Sequence, residues 1–130
     1  MNLSATVEEI KSLIKEAAKA QELNQLIDLN LRISGYLIFC AEKESELLRD
    51  KLEAYHLRKQ FEADFCLRSS SGVTKAELEA TAAAKEHREK EWRTEYEYQK
   101  LRTFRSQVNE FTDSLRQKVA ALRREKEITT

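Results

Sequence analysis

The chain lacks proline and has only two glycines, Gly35 and Gly72, among its 130 residues. Proline and glycine supply most tight turns, so their scarcity excludes a fold of many short strands. Charged residues make up 35% of the chain and hydrophobic residues 41%. This composition is typical of long helices that pack one apolar face and leave a charged face in water. The sequence therefore predicts an all-α protein with a single domain.

An excess of charge of one sign is also absent, because 23 lysines and arginines balance 23 aspartates and glutamates. No apolar run approaches the roughly 20 residues of a membrane-spanning helix, and the first residues do not resemble a signal peptide. The two cysteines, Cys40 and Cys66, lie too far apart on one predicted helix to form a disulfide within the chain. We therefore expect a cytoplasmic protein with reduced thiols and no membrane contact.

Capping patterns and hydrophobic spacing predict the first two helices. Thr6 and Glu9 have the spacing of a capping box, which places helix one at about residues 6–20. Helix two is predicted over about residues 22–68, where the helical periodicity is sustained. Only Gly35 interrupts this run with a residue that favours a kink.

A turn is predicted at residues 69–74. Gly72 is expected to take the left-handed conformation that ends a helix. Val73 and Leu78 have the spacing of a hydrophobic staple, in which two apolar side chains pack across a helix start. Helix three is then predicted over about residues 75–126 without a break.

Helix three carries the hydrophobic repeat of a coiled coil. Its apolar residues recur at spacings of three and four, with one stutter of two consecutive fours, at Leu101, Phe104, Val108, Phe111, Leu115, Val119 and Leu122. Folding this helix back on helix two brings its seam against residues 23–40 and places Tyr55 opposite His87. We therefore predict a long antiparallel helical hairpin, with helix one packed as a short third helix at the open end.

The segment 23–40 has more apolar residues than one seam and a short third helix can cover. The surplus positions are Leu29, Leu31, Tyr36, Ile38 and Phe39. Monomers seldom expose large contiguous apolar patches, and a twofold pairing buries the same patch on both chains. These five residues are therefore the predicted interface of a homodimer.

The middle of the hairpin is polar, with aromatic residues set among arginines. These residues are Trp92, Tyr96, Tyr98, Arg88 and Arg93. Tryptophan, tyrosine and arginine are the residue types that most often anchor protein interfaces, so this group is a candidate site for a partner protein. In the alternative interpretation, the aromatic rings fill the hairpin and the charges form a solvated face with helical ion pairs.

The last turns of helix three are basic and offer candidate phosphate contacts. The residues are Arg116, Lys118, Arg123 and Arg124. Cations at this position are also explained by the favourable field at a helix C-terminus. One helix end neutralises few phosphates, so useful affinity for nucleic acid would require a dimer.

The residue patterns of catalytic sites are missing. The sequence has neither a Gly-x-Ser-x-Gly motif nor a glycine-rich phosphate loop. His56 and His87 could approach each other across the hairpin, but the paired Glu-x-x-His pattern of helical di-metal sites is absent. Cys40 lies in an apolar run, where a thiol is inert. We therefore predict no enzymatic activity, no metal and no cofactor.

A long helix, a short serine and glycine turn, and a second long charged helix resemble the small helical-hairpin proteins that tailed bacteriophages encode. The likeness covers residues 33–124 and is clearest in the turn 69–73 and in the helix start 74–80. It implies a phage accessory role, often beside replication and recombination genes, and no chemistry. The leading hypothesis is a non-enzymatic accessory or inhibitory protein that acts through protein contacts of its helical surface. The alternative is a weak nucleic-acid-binding accessory protein.

Overall fold

The computed structural model describes residues 2–69 and 72–129, and these residues contain helices and no strand. The helices are α1 (Leu3–Lys19), α2 (Leu23–Arg68), α3 (Val73–Ala83) and α4 (Lys85–Thr129). The long helices α2 and α4 pack against each other. The predicted all-α hairpin is therefore confirmed.

The chain divides into two compact units. Unit 1 comprises Met1–Lys43 with Leu101–Thr130, and unit 2 comprises Glu44–Lys100. Both long helices contribute to both units, because α2 supplies residues on either side of position 43 and α4 on either side of position 100.

Unit 1 has an apolar core from three helices. The buried side chains include Ile10, Leu13 and Ala17 of α1, Leu26, Leu29, Ile33 and Leu37 of α2, and Leu101, Val108, Leu115 and Val119 of α4. Burying a side chain of this size stabilises a fold by roughly 1.5–3 kcal/mol. Lys118 of α4 donates to the Ala20 carbonyl at the end of α1, at 3.0 Å. Helix one therefore packs as a third helix, as predicted.

The predicted start of helix one is wrong. α1 begins at Leu3, and the Asn2 side chain caps it by accepting a hydrogen bond from the Ala5 amide at 2.7 Å. Thr6 lies inside the first turn, where its hydroxyl donates to the Asn2 carbonyl at 2.9 Å. A buried threonine bonded to the carbonyl four residues earlier belongs to a helix interior, so Thr6 and Glu9 form no capping box.

Gly35 does not end α2, which is a single helix from Leu23 to Arg68. A Cβ atom added at Gly35 would meet no atom within 4 Å. Close packing against a neighbour therefore does not require glycine at this position.

The turn differs from its prediction. Gly72 has φ of −62° and is the N-cap of α3, so it does not take the left-handed conformation. Val73 and Leu78 are both exposed, so they form no hydrophobic staple. A hydrophobic staple joins the residue before the N-cap to the fourth helical residue. Because Gly72 is the N-cap and α3 begins at Val73, neither Val73 nor Leu78 occupies one of these positions. Ser70 and Ser71 of the predicted turn lie outside the described residues.

Helix three is interrupted, contrary to prediction. Ala84, with φ of −84° and ψ of 11°, separates α3 from α4. Its amide still donates to the Ala80 carbonyl at 2.9 Å, and its carbonyl accepts from the Arg88 amide at 2.9 Å. Alanine is the best helix former, so the local sequence does not explain this break. Ala84 is completely buried, and nothing in the structure explains the break.

Unit 2 has a core of small residues. The buried alanines are Ala54, Ala76, Ala80 and Ala84. Phe61 is half-buried and contacts His87, with ring centroids 4.8 Å apart. His87 therefore faces Phe61 and not Tyr55, so the predicted register is wrong. The prediction assumed an unbroken helix after the turn, whereas Ala84 interrupts it.

Candidate partner-binding surface

Trp92 and Tyr96 form an exposed aromatic pair on α4. They lie four residues apart, which places them on the same face of the helix. Their rings stack with centroids 5.8 Å apart and planes at 16°. Trp92 is 67% exposed and Tyr96 is 53% exposed. The pair is therefore an ordered apolar surface in contact with solvent.

Arg88 and Arg93 are both exposed on the same helix. Arg88 donates from Nη2 to Oε1 of Glu62 at 2.8 Å, which ties its guanidinium to α2. Tyr98 is half-buried, and its ring lies 5.3 Å from Nζ of Lys51 on α2. Of the predicted partner-binding residues, the structure thus leaves Trp92, Tyr96 and Arg93 directed to solvent and turns Tyr98 toward α2.

A second apolar surface in unit 2 lies on α2 and was missed by the sequence analysis. Leu48, Leu52 and Leu57 are each more than one third exposed. They line a shallow groove with Ser45, Arg49, Glu53, His56 and Gln60, all of the same helix. The spacings of four and five residues between these leucines were visible in the sequence. The face of α2 that packs against α4 was not, because polar residues lie between the leucines.

The side of α2 that faces its partner helices in unit 2 is partly polar. Glu44 and Arg58 are among the buried residues. The Arg58 guanidinium bonds to the Glu91 carboxylate, and its Nη1 lies 3.2 Å from Oε2 of Glu62. The hydrogen bond with Glu91 raises the pKa of Arg58 above its ordinary value, although burial acts in the opposite direction. Arg58 therefore remains charged inside the helix pair.

The residues of the predicted dimer interface do not share one environment in unit 1. Leu29 is 2% exposed and belongs to the core, so its inclusion in the interface is wrong. Tyr36 and Phe39 are half-buried. Leu31 and Ile38 are 68% and 65% exposed. Only these last two residues present most of an aliphatic side chain to solvent.

The candidate phosphate contacts are partly engaged within the chain. Arg116 forms an ion pair with Asp113 at 3.0 Å, and Lys118 binds the Ala20 carbonyl. Nε of Arg124 lies 3.5 Å from the Ala120 carbonyl. Arg123 is exposed at the rim of a groove of about 240 Å³ whose apolar lining includes Ile27 and Val119. These intramolecular partners compete with phosphate.

The two histidines have different ring neighbours. His56 contacts Tyr55 edge to face at 5.6 Å, whereas His87 lies on Phe61. In the described part of the chain, no group of three or more histidine, cysteine, aspartate or glutamate side chains is placed to hold a metal ion. Neither Cys40 nor Cys66 is joined in a disulfide within the described residues.

No helix within residues 2–69 and 72–129 has the length and apolar character needed to cross a membrane. No protein-family model, curated protein or solved structure matches the chain.

Proposed function

We propose that this chain is a non-enzymatic accessory or inhibitory protein, of the phage type that its hairpin resembles, and that it binds a partner protein in the cytoplasm. The observation that carries the proposal is the distribution of side chains in unit 2. Leu48, Leu52 and Leu57 are exposed there, and so are the rings of Trp92 and Tyr96. Exposed apolar area costs free energy in an isolated chain. A partner that covers the apolar area would recover part of that cost.

The stacked pair of Trp92 and Tyr96 is the best candidate for the centre of the contact. Its rings already hold each other in place, so binding would order few additional torsions. Arg93 follows Trp92 and can supply a hydrogen bond or an ion pair at the edge. This combination matches the residue types that dominate the energy of measured interfaces.

Site-specific photo-cross-linking would test this proposal. A photoreactive amino acid placed at Trp92 should give a discrete cross-linked protein in a lysate of the source organism, and unlabelled chain should compete with it. The control places the same group at Glu97, which is exposed on the same helix. Glu97 lies five residues after Trp92, about 140° away around the helix axis. The captured protein is then purified, and Trp92→Ala should weaken its binding by at least about tenfold. Equal yields from both positions, or unchanged binding by Trp92→Ala, would count against the site.

A homodimer remains part of the proposal, with Leu31 and Ile38 of unit 1 as its contacts. Light scattering should report about twice the chain mass of 15.2 kDa at micromolar concentration. Ile38→Glu should shift the protein to monomer, because a charge cannot be buried unpaired at a twofold contact. A monodisperse monomer of the wild-type chain at high concentration would exclude this part.

The same purified chain separates protein binding from the nucleic-acid alternative. Phosphate contacts would produce saturable binding of an oligonucleotide that weakens steeply as salt rises. We expect no saturable binding at physiological salt, because Arg116 and Lys118 already have partners in the chain. Saturable binding that Arg123→Gln and Arg124→Gln abolish would favour the alternative instead.

A further inference from the structure

A cluster of four charged residues holds α2 to α4 inside unit 2. Arg58 lies between two carboxylates: it bonds to Glu91 through Nε and Nη2, and to Glu62 through Nη1. Arg88 of α4 donates to the same Glu62 at 2.8 Å. The side chains of Arg58, Glu62 and Glu91 are 10%, 17% and 22% exposed. The cluster thus alternates in charge and links the two helices twice.

The apolar packing of unit 2 is weak. Its buried apolar residues are the alanines at positions 54, 76, 80 and 84, which offer little area, and the large ring of Phe61 is only half-buried. Unit 1, in contrast, buries leucine, isoleucine and valine from three helices. The pairing in unit 2 therefore depends on the charged cluster to a degree that the pairing in unit 1 does not.

Breaking one link of such a cluster has a large effect. Arg58 is desolvated, so loss of the Glu91 carboxylate leaves a buried charge with one partner fewer. Replacing both members by apolar residues of similar volume is far less harmful, because no charge then stays buried. The cluster therefore behaves as a latch between α2 and α4. The two helices can pack when the charged pair is intact or when both of its members are replaced. Removal of one member alone opposes their packing.

We propose that the cluster of Arg58, Glu62, Arg88 and Glu91 is a conformational latch, and that unit 2 opens at this latch as a cooperative unit while unit 1 stays folded. Opening would separate α2 from α3 and α4 between positions 44 and 100 and would expose the alanine face. This inference concerns the stability of unit 2 and does not depend on whether Trp92 binds a partner.

Hydrogen exchange under native conditions, resolved along the chain, is the test. In the wild-type protein, backbone amides of unit 2 should exchange through openings more frequent than those of unit 1. Glu91→Gln keeps the shape of the side chain and removes its charge. It should raise the opening constant of unit 2 by about 100-fold or more and leave unit 1 nearly unchanged.

Two further variants make the result specific to the latch. Glu95→Gln removes an exposed carboxylate that lies 3.9 Å from Lys51 in the same unit, and it should change the opening constant by less than about threefold. The double variant Arg58→Met with Glu91→Met leaves no charge of this pair buried. It should return the opening constant to within about tenfold of the wild-type value.

Two results would overturn the proposal. If Glu91→Gln and Glu95→Gln have equal effects, the buried cluster is not a latch. If Glu91→Gln accelerates exchange in both units equally, the chain opens only as a whole. Exchange in unit 1 also reports whether each variant is folded, so a variant that has lost its structure is recognised in the same experiment.

Discussion

Two isoleucines of α2 make very unequal contributions to the stability of unit 1. Ile33 is completely buried in the core, whereas Ile38 is mostly exposed. Ile33→Ala removes three carbon atoms from this core, which costs about 2.4 kcal/mol in transfer free energy before the cavity is counted. The cavity brings the expected loss to roughly 3–4 kcal/mol. Ile38→Ala removes the same atoms from a position already in contact with water, and alanine has the higher helix propensity, so we expect a change below about 0.5 kcal/mol.

Urea titration followed by far-ultraviolet circular dichroism measures both variants against the wild-type chain. The expected loss for Ile33→Ala corresponds to a fall of about 10 °C in melting temperature for a chain of this size. The comparison should be made at a concentration where light scattering reports monomer, since a second copy packed on Ile38 would add to its cost. Equal losses for the two variants under these conditions would refute the assignment of core and surface on α2.

Four other substitutions have clear expected outcomes. Gly35→Ala should raise the free energy of unfolding by about 0.5–1 kcal/mol in the same titration, because alanine favours the helix and the added Cβ has open space. A loss of stability would show that the Cβ meets a neighbouring atom. Lys118→Met should lower the free energy of unfolding by about 0.5–1.5 kcal/mol, because the Ala20 carbonyl loses its charged donor. It should also accelerate hydrogen exchange in α1. Unchanged exchange would show that this hydrogen bond does not stabilise α1. Val73→Asp and Leu78→Asp should each change the melting temperature by no more than about 2 °C, since both side chains are exposed. A larger fall would support the predicted hydrophobic staple.

The helical fold and most of the coiled-coil seam could be predicted because their signals repeat along the chain. Leu101, Val108, Leu115 and Val119 are buried as their spacing predicts, and the other seam positions are half-buried. A repeat of three and four sustained over many turns leaves one face for the core, whatever the details at the helix ends. The bounds of α2 also agree with the prediction to within one residue.

Single local signals were less reliable. Thr6 has the chemistry of a cap, but Asn2 offers a side-chain oxygen at the right distance from the Ala5 amide and caps the helix earlier. The break at Ala84 has no signal in the local sequence, since alanine favours the helix. The register of the hairpin also differs from its prediction, since His87 packs on Phe61.

The exposure of the candidate partner-binding residues was predicted only in part. Residue types singled out Trp92 and Tyr96, and both are exposed. Residue types alone did not reveal that Tyr98 turns toward Lys51, since that requires the register. The buried position of Arg58 was equally hidden, because an arginine among charged neighbours is usually solvated.

The single tryptophan of the chain permits a direct measurement of the proposed function. Trp92 is the only indole present, so its fluorescence reports the candidate surface without any label. In the isolated protein, a neutral quencher such as acrylamide should reach it readily. In the complex with the protein captured at position 92, quenching of Trp92 should fall several-fold, measured with a partner whose tryptophans are replaced. Equal quenching in the free and bound states would contradict binding through this surface.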